Sequence, residues 1–260
     1  MTAPLLEFTR GKTFGPLVVR WETSAIIYKA ITAISQTAPV RMTVTGHGIP
    51  AGWRAAVSGV KGMVEMNVAD PSRIRDDEYH QVTVIDANTI EFNDVNASAF
   101  KPYTSGGYLQ YNTPADLTGQ TARLAIKAKA GDSNLLKCTV GGVAGTVKPT
   151  AAGKDGTVTW VAATSGTPAK EWVAGATYAI NDVIDTTDLL RLTTENGRVA
   201  IDTSGKTITL TVSAADTALM TWKRGEYDLE MVSSDVVPVI KSLFGEIGKA
   251  SVGKEVTSNA

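Results

Sequence analysis

Alternation of apolar and polar residues at a spacing of two runs through most of this chain, which predicts strands. Leu5–Arg10 and Pro16–Trp21 read as strands on either side of Gly11-Lys12-Thr13-Phe14-Gly15, a turn-rich hinge. Ala25–Ile34 is apolar and isoleucine-rich and fits either a strand or a short helix. Val40–Val44 alternates as a strand and runs into Gly46-His47-Gly48-Ile49-Pro50. That segment reads as a tight turn, because glycine reaches positive φ and proline fixes its own. Val57–Val60 is a short strand, and Gln81–Ile85 and Thr89–Phe92 form a hairpin across Asp86-Ala87-Asn88. Ala122–Ala128, Thr157–Val161, Lys206–Val212 and Gly225–Met231 continue the pattern, with Val236–Phe244 as a further strand candidate. Tyr227 falls on the same side of its strand as Leu229 and Met231, so it is expected in the core. One helical signal interrupts the strands. Ser213-Ala214-Ala215-Asp216 resembles a capping box and predicts a short helix to about Met220. Short strands spaced by about 8–12 residues point to sandwiches and small barrels.

Composition narrows the functional classes. The chain has 260 residues, enough for one large or two smaller cores, and 43% of them are apolar, which excludes disordered and membrane classes. A formal net charge of −1 leaves no basic surplus for a phosphate backbone, so nucleic acid is not an expected partner. No apolar run approaches the roughly 18 residues that span a bilayer, so no membrane partner is expected. Met1–Glu7 lacks a basic region followed by a long apolar one, so no signal peptide is expected. Cys138 is the single cysteine, which rules out an intrachain disulfide or a cysteine metal cluster and fits folding in a reducing cytosol.

Catalytic chemistry is hard to assemble from the remaining residues. His47 lies in a glycine-flanked turn, and His80 follows Asp76-Asp77-Glu78-Tyr79, where a solvated acidic loop competes with a carboxylate–histidine site. Neither histidine has the spacing of a zinc motif. Gly11-Lys12-Thr13 and Gly205-Lys206-Thr207 spell the end of a phosphate loop, but Leu6 and Ala200 stand where its first glycine is needed. Ser165-Gly166 and Ser105-Gly106 complete no nucleophile elbow, and Asp70 and Asp94 lack a calcium-loop array. No catalytic, cofactor-binding or metal-binding residue is assigned, and no enzyme is expected. Of the five tryptophans, Trp21, Trp53, Trp160, Trp172 and Trp222, most read as core fillers. Trp172 with Tyr178 is the strongest candidate pair for an interface or glycan contact.

Three stretches resemble known families. Val44–Trp53, Val60–Asn67, Val82–Phe92 and Tyr103–Gly107 together resemble the small β-barrel module of phage tail proteins. That module is itself similar to the first catalytic cysteine half-domain of ubiquitin-activating enzymes, and no activity is implied. Leu5–Trp21, Asn112–Lys129 and Leu189–Val256 contain Asp116–Arg123, Val199–Leu210 and Trp222–Glu230. They resemble the immunoglobulin-like N-terminal domain of phage baseplate upper proteins and fibre-attachment proteins, which docks a receptor-binding or fibre component. Lys148–Trp160 is similar to a phage-fibre repeat, and Glu171–Val183 to the opening of small chitin-binding modules. The latter two occur in swapped order, without the downstream aromatic partners, and read as one inserted β-element.

These readings predict an all-β chain: an immunoglobulin-like β-sandwich from residues 1–29 and 112–260, a small β-barrel insertion at 30–111, a second β insertion at about 138–188, and one short helix. The resemblances imply a tailed-phage structural protein located in the virion. It would dock tail, neck, baseplate or fibre proteins as a homo-oligomer. A carbohydrate-binding receptor module and a capsid decoration protein are the alternatives. The polar stretch Gly245–Ala260 is expected to reach a neighbouring subunit.

Overall fold

The computed structural model describes residues 3–164, 169–235, 237 and 239–253. The chain is all-β, with several sheets and, among the described residues, one α-helix. It divides into two compact units. One holds Val19–Thr118 with Asp202–Ile208, and the other holds Met1–Val18, Gly119–Ile201 and Thr209–Ala260. The division read from the sequence lies at residues 30 and 111.

The first unit is a seven-stranded antiparallel sheet. Its order is Glu22–Ala30, Ser105–Pro114, Arg54–Lys61, His80–Asp86, Thr89–Phe92, Val40–Thr43 and Ala33–Ile34. Ala25–Ile34 is therefore extended, as its isoleucines favour. The sheet closes on itself at the bend between its two end strands. The Ile31 N–H donates to the Gly107 carbonyl (3.0 Å) on one side, and the Thr32 N–H donates to the Thr43 carbonyl (2.9 Å) on the other. The inward residues of these strands form one core around Trp53, Met42, Phe92, Ile90, Leu109 and Tyr111, all at most 1% exposed. Burial of such side chains contributes roughly 1.5–3 kcal/mol each. Their polar ends are satisfied from the backbone. The Trp53 indole N–H donates to Asn112 O (3.0 Å), and the Tyr111 hydroxyl donates to His47 O (2.5 Å).

The second unit has a six-stranded sheet, in the order Leu6–Thr9, Gly248–Gly253, Arg224–Val232, Thr121–Lys127 and Asp188–Thr193, with Ile240–Ser242 also on Arg224–Val232. The first pair is parallel and the other neighbours are antiparallel. A three-stranded sheet in the order Val199–Asp202, Thr207–Val212, Phe14–Arg20 belongs to this unit except for Val19–Arg20, Asp202 and Thr207–Ile208. Strict alternation buries Ala122, Leu124 and Ile126 on one strand and Tyr227, Leu229 and Met231 on its neighbour. The ring of Phe8, from the larger sheet, lies 4.5 Å from that of Phe14. The helix is Ala214–Ala218, where the capping signal places it; Ser213 Oγ accepts the Asp216 N–H (3.1 Å). Of the strand candidate at 236–244, Ile240–Ser242 is a strand, while Val236 and Pro238 lie outside the described residues.

One expectation needs correction. Gly248–Gly253, read as part of a polar extension, is an internal strand of the larger sheet. Its small residues are required there. Gly248 lies opposite Tyr227, whose ring occupies the space a β-carbon at 248 would need. Lys254–Ala260, the rest of that stretch, lies outside the described residues.

Candidate functional site

The segment between Lys127 and Asp188 leaves the larger sheet and builds its own small β-element. Its four-stranded sheet has the order Gly153–Asp155, Val158–Ala162, Leu135–Val140, Val183–Asp185, and a two-stranded pair joins Gly142–Val143 to Thr177–Tyr178. Its core holds Leu136, Cys138, Val158, Trp160, Tyr178 and Ile184. Cys138 and Trp160 are cross-strand partners. Burial pushes the Cys138 thiol above its ordinary pKa, which keeps it protonated and unreactive.

Trp172 and Tyr178, the pair singled out from sequence, do come together. Their rings stack at 5.6 Å and 11°, and Trp160 meets both edge-on, at 6.2 Å and 5.3 Å. Tyr178 is itself buried. Its hydroxyl donates to Glu171 O and accepts the Val173 N–H, both at 2.8 Å. These bonds pin the backbone on both sides of Trp172, so the indole is held by its neighbours and remains partly exposed.

A cleft of about 590 Å³ opens beside Trp172, lined also by Val173, Arg198, Leu219, Met220 and Trp222. Leu219 is 80% exposed, and the buried Trp222 indole nitrogen has no partner among the described residues. At the cleft, Arg198 bonds the Glu171 carboxylate, the Arg191 carbonyl (2.9 Å) and Asp216 (2.9 Å). Burial opposes the guanidinium charge, but these acceptors outweigh it and hold Arg198 above its ordinary value. Arg198, Glu171 and Asp216 thus satisfy one another. The cleft offers aliphatic and indole surface, which suits docking.

Asp185 fastens the element to the sandwich. It is 4% exposed and accepts from Lys127 Nζ (2.6 Å), Ser133 Oγ (3.1 Å), the Asn134 N–H (3.0 Å), and the Thr187 N–H (3.0 Å) and hydroxyl (2.7 Å). One carboxylate therefore binds both chain crossings into the element. Burial raises the cost of its charge, yet the bonds from Lys127, Asn134 and Thr187 prevail and hold its pKa well below the usual carboxylate range.

The other sequence candidates are dispersed. His47 is a turn residue in the barrel. Its Nδ1 accepts the Ile49 N–H (3.1 Å) and its Nε2 lies 2.8 Å from Asp86 O, so it is the Nε2–H tautomer. His80 pairs with Asp94 (2.9 Å) and stacks on Phe92, while Asp76 pairs with Arg54 and Glu78 accepts the Ala69 and Arg75 N–H groups. Gly205-Lys206-Thr207 is a hairpin turn whose Ser204 and Gly205 N–H groups donate to Asp202. Among the described residues no group of three or more His, Cys, Asp or Glu side chains is placed to hold a metal. No described helix is long and apolar enough to cross a membrane. Arg198, Asp216, Leu219 and Trp222 were not foreseen, because their convergence depends on tertiary pairing and leaves no local motif. No protein family and no curated protein matches the chain.

Proposed function

We propose that this chain is a non-enzymatic structural protein of a tailed-bacteriophage virion that joins tail, neck or baseplate components and anchors a fibre. The observation that carries the reading is the cleft of Trp172, Val173, Leu219 and Trp222, where exposed apolar side chains stand on an interlocked aromatic and ionic base. Tryptophan on a rigid support is what protein–protein hot spots use. The resemblance of Trp222–Glu230 and its flanking segments to fibre-attachment domains supports the same use. Symmetric copies in a ring would turn weak single contacts into durable attachment.

The partly exposed Trp172 ring also favours a second reading, recognition of a host carbohydrate by stacking. Phage assembled without this protein, and phage carrying Leu219→Asp, test both. Heads that package DNA but lack an attached appendage are the expected result. Normal appendages and adsorption would refute attachment. Complete appendages with lost host binding, and retention on a glycan array, would favour carbohydrate recognition. Intact appendages on fragile heads would favour capsid decoration.

A further inference from the structure

The barrel closes along only half of one strand. In the Glu22–Ala30 strand, Ile26, Ile27, Tyr28, Lys29 and Ala30 stand opposite Asn112, Tyr111, Gln110, Leu109 and Tyr108. Ile31 extends this register and donates to Gly107 O. Bonding alternates along an antiparallel pair, so the odd-numbered residues of the strand bond to Ser105–Pro114. The backbone groups of Ile26, Tyr28 and Ala30 therefore point to the other edge. At Thr32 that edge is occupied, by Thr43 O. From Ala30 back to Ile26 no strand pairs with it among the described residues. All three residues are exposed.

Common protections of a free edge are sparse in this stretch. It has no proline or glycine, and its one charge is Lys29, which projects to the opposite face from Ile26 and Tyr28. The irregularity between Glu22 and Ile26 ends the regular pairing and confines the free edge to residues 26–30. Beside it, Tyr28 and Tyr108 meet edge-on at 6.5 Å, each about half exposed, and Ile26 is 43% exposed.

We propose that Ile26–Ala30 pairs with the same strand of a second copy of this chain, antiparallel, about a two-fold axis through Tyr28. The segment is self-complementary in that register. Ile26 meets the partner's Ala30, Tyr28 meets the partner's Tyr28, and each such pair can exchange two backbone bonds. Large faces small at the ends, and the two tyrosines meet at the axis, flanked by Tyr108 of each copy. On the opposite face Ile27 meets the partner's Lys29, so no like charges oppose. A pairing this short buries less than the roughly 800 Å² per partner of a stable complex, so dissociation between about 10 µM and 1 mM is expected. Self-pairing of this edge requires no other virion component, so it stands or falls separately from attachment.

Sedimentation velocity of the full chain over a concentration series tests it. Wild type should show a reversible monomer–dimer equilibrium. Tyr28→Lys sets two ammonium groups against each other on the axis, and should weaken the dimer at least about tenfold. Tyr28→Pro deletes an edge-facing N–H that bonds nothing in the single chain, so it should abolish the dimer while the thermal midpoint falls no further than in Tyr28→Ala, which loses the same contact with Tyr108. Under oxidation, Tyr28→Cys should form a covalent dimer and Ile26→Cys should not, because only residue 28 lies on the axis. A wild-type chain monomeric at 1 mM, a dimer that survives Tyr28→Lys, or preferential cross-linking through Ile26→Cys would overturn the proposal.

Discussion

Removing the Asp185 carboxylate should loosen the inserted β-element while leaving the barrel unchanged. Asp185→Ala removes the nearer of the two carboxylates around Lys127, leaving Asp188 at 3.7 Å, in a site where the lysine side chain is 17% exposed. It also strands the N–H groups of Asn134 and Thr187. Breaking a buried ion pair costs about 3–5 kcal/mol. Against a total stability of roughly 5–15 kcal/mol, that is a large share. Asp185→Asn keeps an oxygen for the two N–H groups but turns an amide toward Lys127, so its loss should be smaller. Urea unfolding followed by tryptophan fluorescence reads the relevant region, since Trp160 and Trp172 lie in the element, and a midpoint shift of roughly 1–2 M is expected. The pH dependence has a definite sign. The folded pKa of Asp185 lies below its unfolded value of about 3.9. Its stabilisation is therefore complete above that value and is lost as pH falls through the folded pKa. The gap between wild type and Asp185→Ala should be widest near neutrality and shrink below about pH 4. A stability within about 0.5 kcal/mol of wild type, or a gap that widens in acid, would refute the assignment of Asp185 as the clasp.

Four further substitutions probe packing. Gly248→Ala places a methyl group against the Tyr227 ring and should cost about 1–3 kcal/mol in a thermal melt, although alanine is ordinarily harmless in a strand. Trp160→Ala should lower stability by about 3–5 kcal/mol, clearly more than Trp172→Ala, whose side chain is only partly buried. Trp160→Phe should fall well short of Trp160→Ala, because the buried indole nitrogen has no partner to lose.

What the sequence reveals about this fold follows from the range of each interaction. Alternation marked Ala122–Ala128 and Gly225–Met231 because one face of each is buried, and the serine cap marked the helix because its bond spans three residues. Strand partners were less visible. Nothing local says that Thr121–Lys127 lies between Arg224–Val232 and Asp188–Thr193. Small residues misled at Gly248–Gly253, where a composition that resembles a tail serves to admit the Tyr227 ring. Trp172 and Tyr178 were legible because aromatics suited to surface stacking stand close together in Glu171–Val183. The cleft beside them was not, since Glu171, Arg198 and Asp216 meet only after the sheets form.

The pairing of Leu6–Thr9 with Gly248–Gly253 has a consequence for biosynthesis. That internal strand also bonds Arg224–Tyr227, so among the described residues the first strand has no neighbour in its sheet until Gly248–Gly253 has been made. At translation speeds of about 5–20 residues per second, the first strand waits roughly 12–50 s on the ribosome. Val19–Thr118 contains the barrel's whole seven-stranded sheet and can begin to fold long before then. A chain that stops short of Gly248 would carry the barrel's whole sheet and a second sheet lacking the strand that pairs with Leu6–Thr9. Such a product would leave Leu6–Thr9 without the strand that holds it in its sheet.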